Sequence, residues 1–345
     1  MAVATAARTI TIAEALNESI RLEMRADPKI VIMGEDIAGG AQVEHLEEDE
    51  AWGGVMGVTK GLVHEFGRER VLDTPISEAA FIGAAVGAAA TGLRPIAELM
   101  FCGFLGSCLD SLLNQGSKLR YMFGGKATVP VTIRTMIGGG FRAAAQHAQT
   151  LYPMFANIPG LKVVAPSNAA DAKGLLTASI RDDDPVIFCE HITMYTMKGE
   201  VPGGEHIVPI GKAAVARPGS DVTLLGVSLT AVHALNAAET LAKEGIDAEV
   251  IDLRTVSPLD EETILESVKK TGRLVIVDEA NPLCGLASHI AGMVASRGFQ
   301  WLRAPVGMVT APHSPVPFSP VLEDAYLPNP QKVVAAVKET CSNAS

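Results

Sequence analysis

Aromatic residues, cysteines and positive charges are all scarce in this chain of 345 residues. Aromatics make up 5% of the sequence, so its cores must be built from Ala, Val, Ile and Leu. The formal net charge of −11 argues against a nucleic-acid partner, which requires a basic surface. No apolar run reaches membrane-spanning length without a Gly, a Pro or a charge.

The five cysteines are odd in number and show no CxxC spacing, which is typical of reduced thiols rather than of a disulfide framework. The stretch MAVATAARTI lacks the apolar segment of a signal peptide. We therefore expect a cytoplasmic protein with no membrane partner.

Several catalytic signatures are also absent. No strand is followed by G-x-G-x-x-G, and GGKA at 124–127 lacks the upstream Gly and the Ser or Thr of a phosphate loop. H-E-x-x-H, G-x-S-x-G and paired Cys/His zinc spacings are missing as well. A self-contained nucleotide-dependent dehydrogenase is therefore disfavoured. The stretch IGGGF at 137–141 has two interpretations, a phosphate-binding loop or a close approach of the backbone to another group.

Alternating strand and helix patterns predict an α/β protein with parallel sheets covered on both faces. Among these patterns, LGSCLDSLLNQGSKLRYM (105–122) predicts one amphipathic helix, and the acidic run EHLEEDE predicts a solvated loop within 40–60. The Gly- and Pro-rich stretch MKGEVPGGEHIVPIG predicts a linker. The predicted organisation is a domain at 1–195, a linker at 196–209 and a second α/β domain at 210–345.

The predicted apolar helix SEAAFIGAAVGAAATG has a single carboxylate, at its N-terminal end. Ser77 is the candidate N-cap, which places Glu78 in the first turn. Glu78 is either an acid stabilised by the helix dipole by about 0.3–1 kcal/mol, or a carboxyl with a raised pKa that holds or donates a proton. Thiamine diphosphate requires a carboxyl of the second kind at its aminopyrimidine ring. Gly83 and Gly87, four residues apart, allow close packing either within one subunit or against another.

Long, ordered blocks that cover nearly the whole chain resemble the beta subunits of thiamine diphosphate-dependent 2-oxo acid dehydrogenases. That family includes pyruvate, branched-chain 2-oxo acid and acetoin dehydrogenases. The blocks include DTPISEAAFIGAAVGAAATGLRPIAELMF, AQHAQ, IPGLKVVAPSNAADAKGLL, IDLRTVSPLDEETILESVKKTGRLVIVDEA and PVPFSPVLEDAYLP. The resemblance implies a transketolase-like pyrimidine-binding domain followed by a transketolase C-terminal domain.

The resemblance also implies roles for particular residues. Glu78 matches the acid that activates the aminopyrimidine ring. Met100 and Phe104 match residues that pack against that ring. Glu35 matches an acid that helps to connect two active sites. His147 matches the histidine that faces the substrate and the incoming lipoyl group, a task that suits imidazole near neutral pH.

A potassium site is the last feature that the family implies. RDDDP is otherwise an ordinary polar helix end, and many relatives carry Asn at the last position of the potassium set. The matching positions are Val131, Ser179, Ile180, Asp182 and Asp184.

The family's diphosphate and magnesium motif, which begins Gly-Asp-Gly, is not found in this sequence. The resemblance places it on an alpha subunit, so we expect an α2β2 heterotetramer in which the alpha subunit holds magnesium, and a chain that is inert alone. A lipoyl-bearing acyltransferase is a further expected partner.

Local blocks such as EDEAWGGVMGVTKGL and FRAAAQHAQTLYPMFANIPG look more like acetoin dehydrogenases than pyruvate dehydrogenases. The expected reaction is the cleavage of acetoin to acetaldehyde, with the remaining two-carbon unit passed to a lipoyl arm. A pyruvate dehydrogenase beta subunit is the alternative. A non-catalytic assembly subunit is a second alternative, disfavoured because Glu78, Phe104 and His147 are all present.

Overall fold

The computed structural model describes residues 8–39 and 53–342. The predicted acidic run EHLEEDE lies outside these ranges. The helices and strands follow in the order β1 (Arg8–Thr11), α1 (Ile12–Ala26), β2 (Ile30–Gly34), α2 (Leu62–Phe66), β3 (Val71–Asp73), α3 (Glu78–Ala90), β4 (Arg94–Phe101), α4 (Leu105–Asp110), α5 (Leu119–Met122), β5 (Thr132–Ile137), α6 (Ala144–His147), α7 (Tyr152–Ala156), β6 (Lys162–Val164), α8 (Ala169–Arg181), β7 (Val186–His191), β8 (Lys198–Val201), β9 (Ala214–Arg217), β10 (Val222–Gly226), α9 (Leu229–Ala242), β11 (Ala248–Asp252), β12 (Thr255–Ser257), α10 (Glu261–Thr271), β13 (Leu274–Asp278), α11 (Leu286–Arg297), β14 (Gly307–Thr310), α12 (Pro320–Tyr326) and α13 (Pro330–Ser342).

The chain divides into two compact units. The first comprises Met1–Ile137, Met154–Val164 and Asn168–Ile210, and the second comprises Gly138–Pro153, Ala165–Ser167 and Gly211–Ser345. His147 therefore lies on a segment that groups with the second unit, although its sequence precedes the last strands of the first. No helix in the described ranges is both long enough and apolar enough to cross a bilayer.

The first unit is built on a parallel sheet in which six of its strands lie in the order β6-β7-β5-β4-β2-β3. The predicted parallel α/β architecture is confirmed for this unit. Helix α1 packs against α8 and begins with a capping box, in which the amide of Glu14 donates to Thr11 Oγ1 and the amide of Thr11 donates to Glu14 Oε2. Its buried face repeats every four residues, as amphipathic helices do: Ile12, Leu16, Ile20 and Met24.

The predicted amphipathic helix at 105–122 is interrupted. It consists of α4, a π-helical turn at Ser111–Gly116 and the short helix α5. A Cβ on Gly160 would lie 2.1 Å from the carbonyl oxygen of Ser117, so another part of the backbone presses against the chain where the turn ends. A continuous helix was therefore the wrong prediction, because close backbone packing at Gly160 overrides the local apolar pattern.

The predicted linker contains a strand that composition did not indicate. β8 pairs antiparallel with β1, with Ile10 opposite Gly199 and Thr9 opposite Glu200. The ammonium of Lys173, which is fully buried, donates to the carbonyl oxygen of Pro202 at 2.7 Å just beyond this strand. The strand pairing and the contact of Lys173 fix the first part of a segment whose Gly and Pro content predicted irregular structure.

The second unit has a five-stranded sheet in the order β14-β13-β10-β11-β9, parallel except for the edge strand β9. Small and branched aliphatic side chains of β10, β11 and β13 form its core with helices α9 and α13. Asp260 caps the start of α10, and Gly272 in the left-handed conformation ends it. Both domains therefore have the predicted mostly parallel sheets.

Candidate functional site

Glu78 is the first residue of α3, as predicted, and its side chain is half-buried. Ser77 holds the N-cap position, where its carbonyl accepts the amides of Ala80 and Phe81 at 2.8 and 3.1 Å. Its hydroxyl does not cap the helix but donates to the carbonyl of Pro75. The hydroxyl of Ser107 lies 3.5 Å from Glu78 Oε2, at the outer limit of a hydrogen bond.

Glu35 lies close to Glu78, directly after β2. Only 9% of Glu35 is exposed, and its Oε1 atom has no hydrogen-bond partner among the described residues. Burial raises the pKa of Glu35, and the nearby charge of Glu78 raises it further. The two acids follow neighbouring parallel strands, β2 and β3, whose carboxyl ends meet at one edge of the sheet, where α/β proteins bind ligands.

An apolar wall, formed by Met100 and Phe104, lies at the same end of β4. Met100 is buried near the end of β4, and Phe104 is half-buried just after it. The rings of Phe104 and Phe101 meet edge to face, with centroids 5.6 Å apart. The hydroxyl of Ser107 donates to the carbonyl of Phe104 at 2.8 Å and also approaches Glu78, so the wall and the acid share one neighbour.

Cys108 lies beneath the same site and is buried. Burial, and then the charge of Glu78, raise the pKa of its thiol to about 12. Because the thiolate is the reactive form of cysteine, Cys108 acts here as an inert apolar side chain.

Sequence reasoning missed a buried ionic network in the same unit. Arg134 on β5 donates to both carboxylate oxygens of Glu190 at 2.6 and 2.7 Å, and to Glu98 at 2.6 Å. Tyr195 donates to Glu190 at 2.7 Å. Burial raises the pKa of Glu98, despite the opposing effect of Arg134. A signal was available, since Glu98 and Arg134 are isolated charges in otherwise apolar strands and are direct partners in the sheet register.

This network lines a small cavity of about 10 Å³, room for roughly one water molecule. Met100 from the apolar wall also lines it, together with the glycines at 53 and 54. Glu98 is one of the charges that raise the pKa of Glu35. The charge of Glu98 therefore couples this network electrostatically to Glu35.

His147 ends the short helix α6 in the second unit and is half-buried. The Gly-rich loop before it does not offer its amides to an anion from outside. The amide of Gly139 donates to Glu279 Oε1 at 2.7 Å, and the amide of Gly140 donates to Glu323 Oε1 at 2.7 Å. A Cβ on Gly139 would lie 2.9 Å from Leu327 Cδ2. Of the two interpretations of IGGGF, the structure therefore supports close approach rather than a free phosphate loop.

The oxygens assigned to potassium already have donors from the chain itself. Arg94 Nη1 donates to the carbonyls of Ile180 and Asp182 at 2.9 and 2.7 Å, and Lys162 Nζ lies 2.7 Å from both carboxylate oxygens of Asp182. Asp184 pairs with Arg120 at 2.8 Å.

The carbonyls of Val131 and Ser179 accept the amides of Val186 and Asp182 at 3.0 and 3.3 Å. With Arg94, Lys162 and Arg120 in place, the charge at this set is balanced without an ion, and the set fits potassium poorly. The potassium site stays a prediction. No cluster of three or more His, Cys, Asp or Glu suited to a metal occurs within the described ranges.

The first unit can therefore hold one part of a cofactor. Glu35 and Glu78 offer carboxyl groups, one of them with an oxygen free to bond, and Met100 and Phe104 offer an apolar surface. An aminopyrimidine ring, which is flat and has hydrogen-bonding edges, fits such a donor set.

Comparisons with known proteins agree with the fold of the two units. Residues 8–197 match the family described as "Transketolase, pyrimidine binding domain", and residues 211–333 match "Transketolase, C-terminal domain". The chain is similar, at 24% identity and a TM-score of 0.76, to a solved "Split gene transketolase, inactive beta4 tetramer", over 97% of this chain and 99% of that one.

Three curated relatives match over almost their whole length. The beta subunit of acetoin:2,6-dichlorophenolindophenol oxidoreductase is 60% identical in Bacillus subtilis (96% of this chain, 97% of that protein) and 57% identical in Cupriavidus necator (97% and 98%). The beta subunit of the pyruvate dehydrogenase E1 component from Rickettsia felis is 44% identical (96% and 98%).

Proposed function

Because the chain belongs to the family of transketolase-like beta subunits that includes acetoin oxidoreductases and 2-oxo acid dehydrogenases, we propose that it is the beta subunit of a thiamine diphosphate-dependent acetoin dehydrogenase. Acetoin relatives match at 57–60% identity and the pyruvate relative at 44%. The higher similarity favours acetoin over pyruvate as the substrate.

The observation that carries the proposal is the pair formed by Glu35 and Glu78 beside an apolar wall. Thiamine diphosphate supplies, when bound, a carbon nucleophile that forms once its aminopyrimidine changes tautomer. Glu78 holds a proton at the ring nitrogen, and the buried carboxyl of Glu35, with its raised pKa, limits how many charges the pair carries. Met100 and Phe104 exclude water from the ring.

His147 is proposed to exchange protons with the substrate and with the lipoyl arm that receives the two-carbon unit. Imidazole suits this task because it changes charge near neutral pH. An alpha subunit, in an α2β2 assembly, is proposed to hold the diphosphate and magnesium, and a lipoyl-bearing acyltransferase to accept the product. We also propose a cytoplasmic location, and domains at 1–195 and 210–345 with a linker at 196–209.

The proposal is tested by combining the purified chain with its alpha subunit. We expect thiamine diphosphate binding and acetoin turnover only in the mixed assembly, measured by calorimetry and by reduction of an artificial electron acceptor. Acetoin, pyruvate and branched 2-oxo acids are compared in the same assay. Turnover of pyruvate without acetoin would replace the proposed substrate, and tight cofactor binding by this chain alone would contradict the division between subunits.

Glu78→Gln tests the role of the carboxyl. Because glutamine keeps the shape but cannot exchange the proton, we expect turnover to fall to background while the heterotetramer still forms on size-exclusion chromatography. Glu69→Gln, at an exposed carboxylate of the same unit, is the matched control and should leave turnover unchanged. Near-normal turnover of Glu78→Gln would show that Glu78 is only an acid stabilised by the helix dipole and has no role in turnover.

A further inference from the structure

The backbone that leads to His147 is held in an unusual conformation. Gly138 and Gly140 have positive φ angles of 95° and 92°, and the non-glycine residues Arg142 and Ala144 have φ of 60° and 62°. A left-handed conformation is strained for a non-glycine residue and persists only where the surroundings impose it. Two such residues within the five positions before His147 mean that other groups fix this loop.

Glu323 on α12 is the group that fixes the loop most directly. Its side chain is fully buried, and its two oxygens take different donors from the loop. Oε1 accepts the amide of Gly140 at 2.7 Å, and Oε2 accepts Arg142 Nη1 at 2.6 Å. One carboxylate therefore spans Gly140 and Arg142 with two charge-assisted hydrogen bonds.

Two further contacts hold the loop at either end. Glu279 accepts the amide of Gly139 and the hydroxyl of Thr150, at 2.7 and 3.3 Å. Ala148, the residue after His147, packs in a small apolar cluster with Ala311, Val316 and Tyr326. Since the outer ends are anchored separately, the contacts of Glu323 determine the path of the middle of the loop, directly before α6.

We propose that Glu323 is a positioning residue for His147: it sets the conformation of the loop from Gly140 to Ala144 and thereby the place from which the imidazole acts. The inference rests on the proposed function of His147. It requires both carboxylate oxygens of Glu323 to accept, because the loop offers two donors at once.

Glu323→Gln is the informative change. A glutamine side chain has one acceptor oxygen, and its amide group is a donor, so it can satisfy Gly140 or Arg142 but not both. We expect a kcat for acetoin on the order of tenfold lower with KM nearly unchanged, because small displacements of a catalytic group cost rate. Asp324→Asn is the matched control, since Asp324 is an exposed second partner of Arg142 at 2.7 Å. It should leave kcat close to that of the unchanged assembly.

A double-mutant cycle separates positioning from a general loss of structure. His147→Ala, Glu323→Gln and the combined variant are assayed in the reconstituted heterotetramer. If Glu323 acts through His147, Glu323→Gln should cost much less in the His147→Ala background than in the wild type. If the combined variant lost kcat by the product of the two single losses, the two residues would act independently and the proposal would be overturned. A His147→Ala enzyme with a normal rate would overturn it as well. Absence of acetoin turnover in the wild-type assembly would instead overturn the proposed function.

Hydrogen exchange gives a readout that does not depend on activity. The amide of Gly140 exchanges only when its bond to Glu323 opens, so peptides covering 138–148 should exchange faster in Glu323→Gln than in Asp324→Asn or the wild type. Equal exchange in the three assemblies would overturn the positioning role, including for a variant that had lost activity.

Discussion

The buried cluster around Arg134 gives the sharpest prediction about stability. Arg134 is 2% exposed, and it is the cation that faces both Glu98 and Glu190. In Arg134→Met the volume is roughly kept, but two carboxylates that are 12% and 3% exposed lose three charge-assisted hydrogen bonds and their counter-charge. Breaking a buried ion pair from one side costs about 3–5 kcal/mol.

The pH dependence of this loss has a definite sign. Burial, and the nearby charge of Glu190, raise the pKa of Glu98, and without Arg134 nothing opposes that rise above its unfolded value. A raised carboxyl pKa favours the folded state at low pH and destabilises it as pH rises above the unfolded value. The loss caused by Arg134→Met should therefore be largest near pH 8 and smaller near pH 5, where Glu98 can take up a proton.

Thermal unfolding followed by circular dichroism measures the effect. For a unit of about 150–250 residues, 1 kcal/mol shifts the midpoint by about 2–4 °C, so a loss of about 3–5 kcal/mol corresponds to about 6–20 °C at pH 8. Arg25→Met, which removes an exposed arginine paired with Glu65, is the matched control and should cost less than about 1 kcal/mol. The reasoning would be refuted if Arg134→Met lowered the unfolding midpoint by less than about 2 °C, or lowered it more at pH 5 than at pH 8.

Two further predictions concern the candidate ligand sites. Burial is the main cause that raises the pKa of Glu35, so the free energy of unfolding of the wild type should fall as pH rises above 4.5. Glu35→Gln, which carries no charge at this position, should therefore unfold at a higher temperature than the wild type at pH 8. Identical unfolding midpoints of the two proteins at every pH would contradict this. At the predicted potassium set, whose oxygens already have donors from the chain, replacing sodium by potassium at equal ionic strength should leave the wild-type midpoint unchanged. In Lys162→Met, where Asp182 lacks its ammonium partner, potassium should raise the midpoint. A potassium-specific rise in the wild type would contradict the poor fit of this set.

The sheet strands were predictable from sequence, because buried parallel strands are short runs of β-branched and aliphatic residues. IVIMG at β2 and LVIVD at β13 are of this kind. β8 was not predictable, because its order comes from pairing with β1, nearly 190 positions earlier in the chain. The helix at 105–122 was predicted too long for a similar reason: the contact at Gly160 that ends it is distant in sequence.

At the site, local sequence indicated the carboxylate of Glu78 and its place on the first turn of α3. It did not indicate the partners that determine what the acids do. Glu35 is perturbed by Glu78 and Glu98, which stand on other elements, and Glu323 reaches the loop before His147 from about 180 residues away. Such contacts depend on tertiary packing, which a pattern within a window of the sequence does not contain.

The charges of the first unit also bear on the proposed need for a second polypeptide. Glu35, Glu78 and Glu98 concentrate acidic groups around the apolar wall, and the cation of that cluster, Arg134, is already bound to Glu98 and Glu190. A diphosphate placed among these groups would be repelled, whereas a neutral aminopyrimidine needs only the carboxyl and the wall. In the second unit, the amides of Gly139 and Gly140 are bound to carboxylates of the same chain. Electrostatics as well as the missing motif therefore support the proposed division of the cofactor, with its ring on this subunit and its charged tail on another.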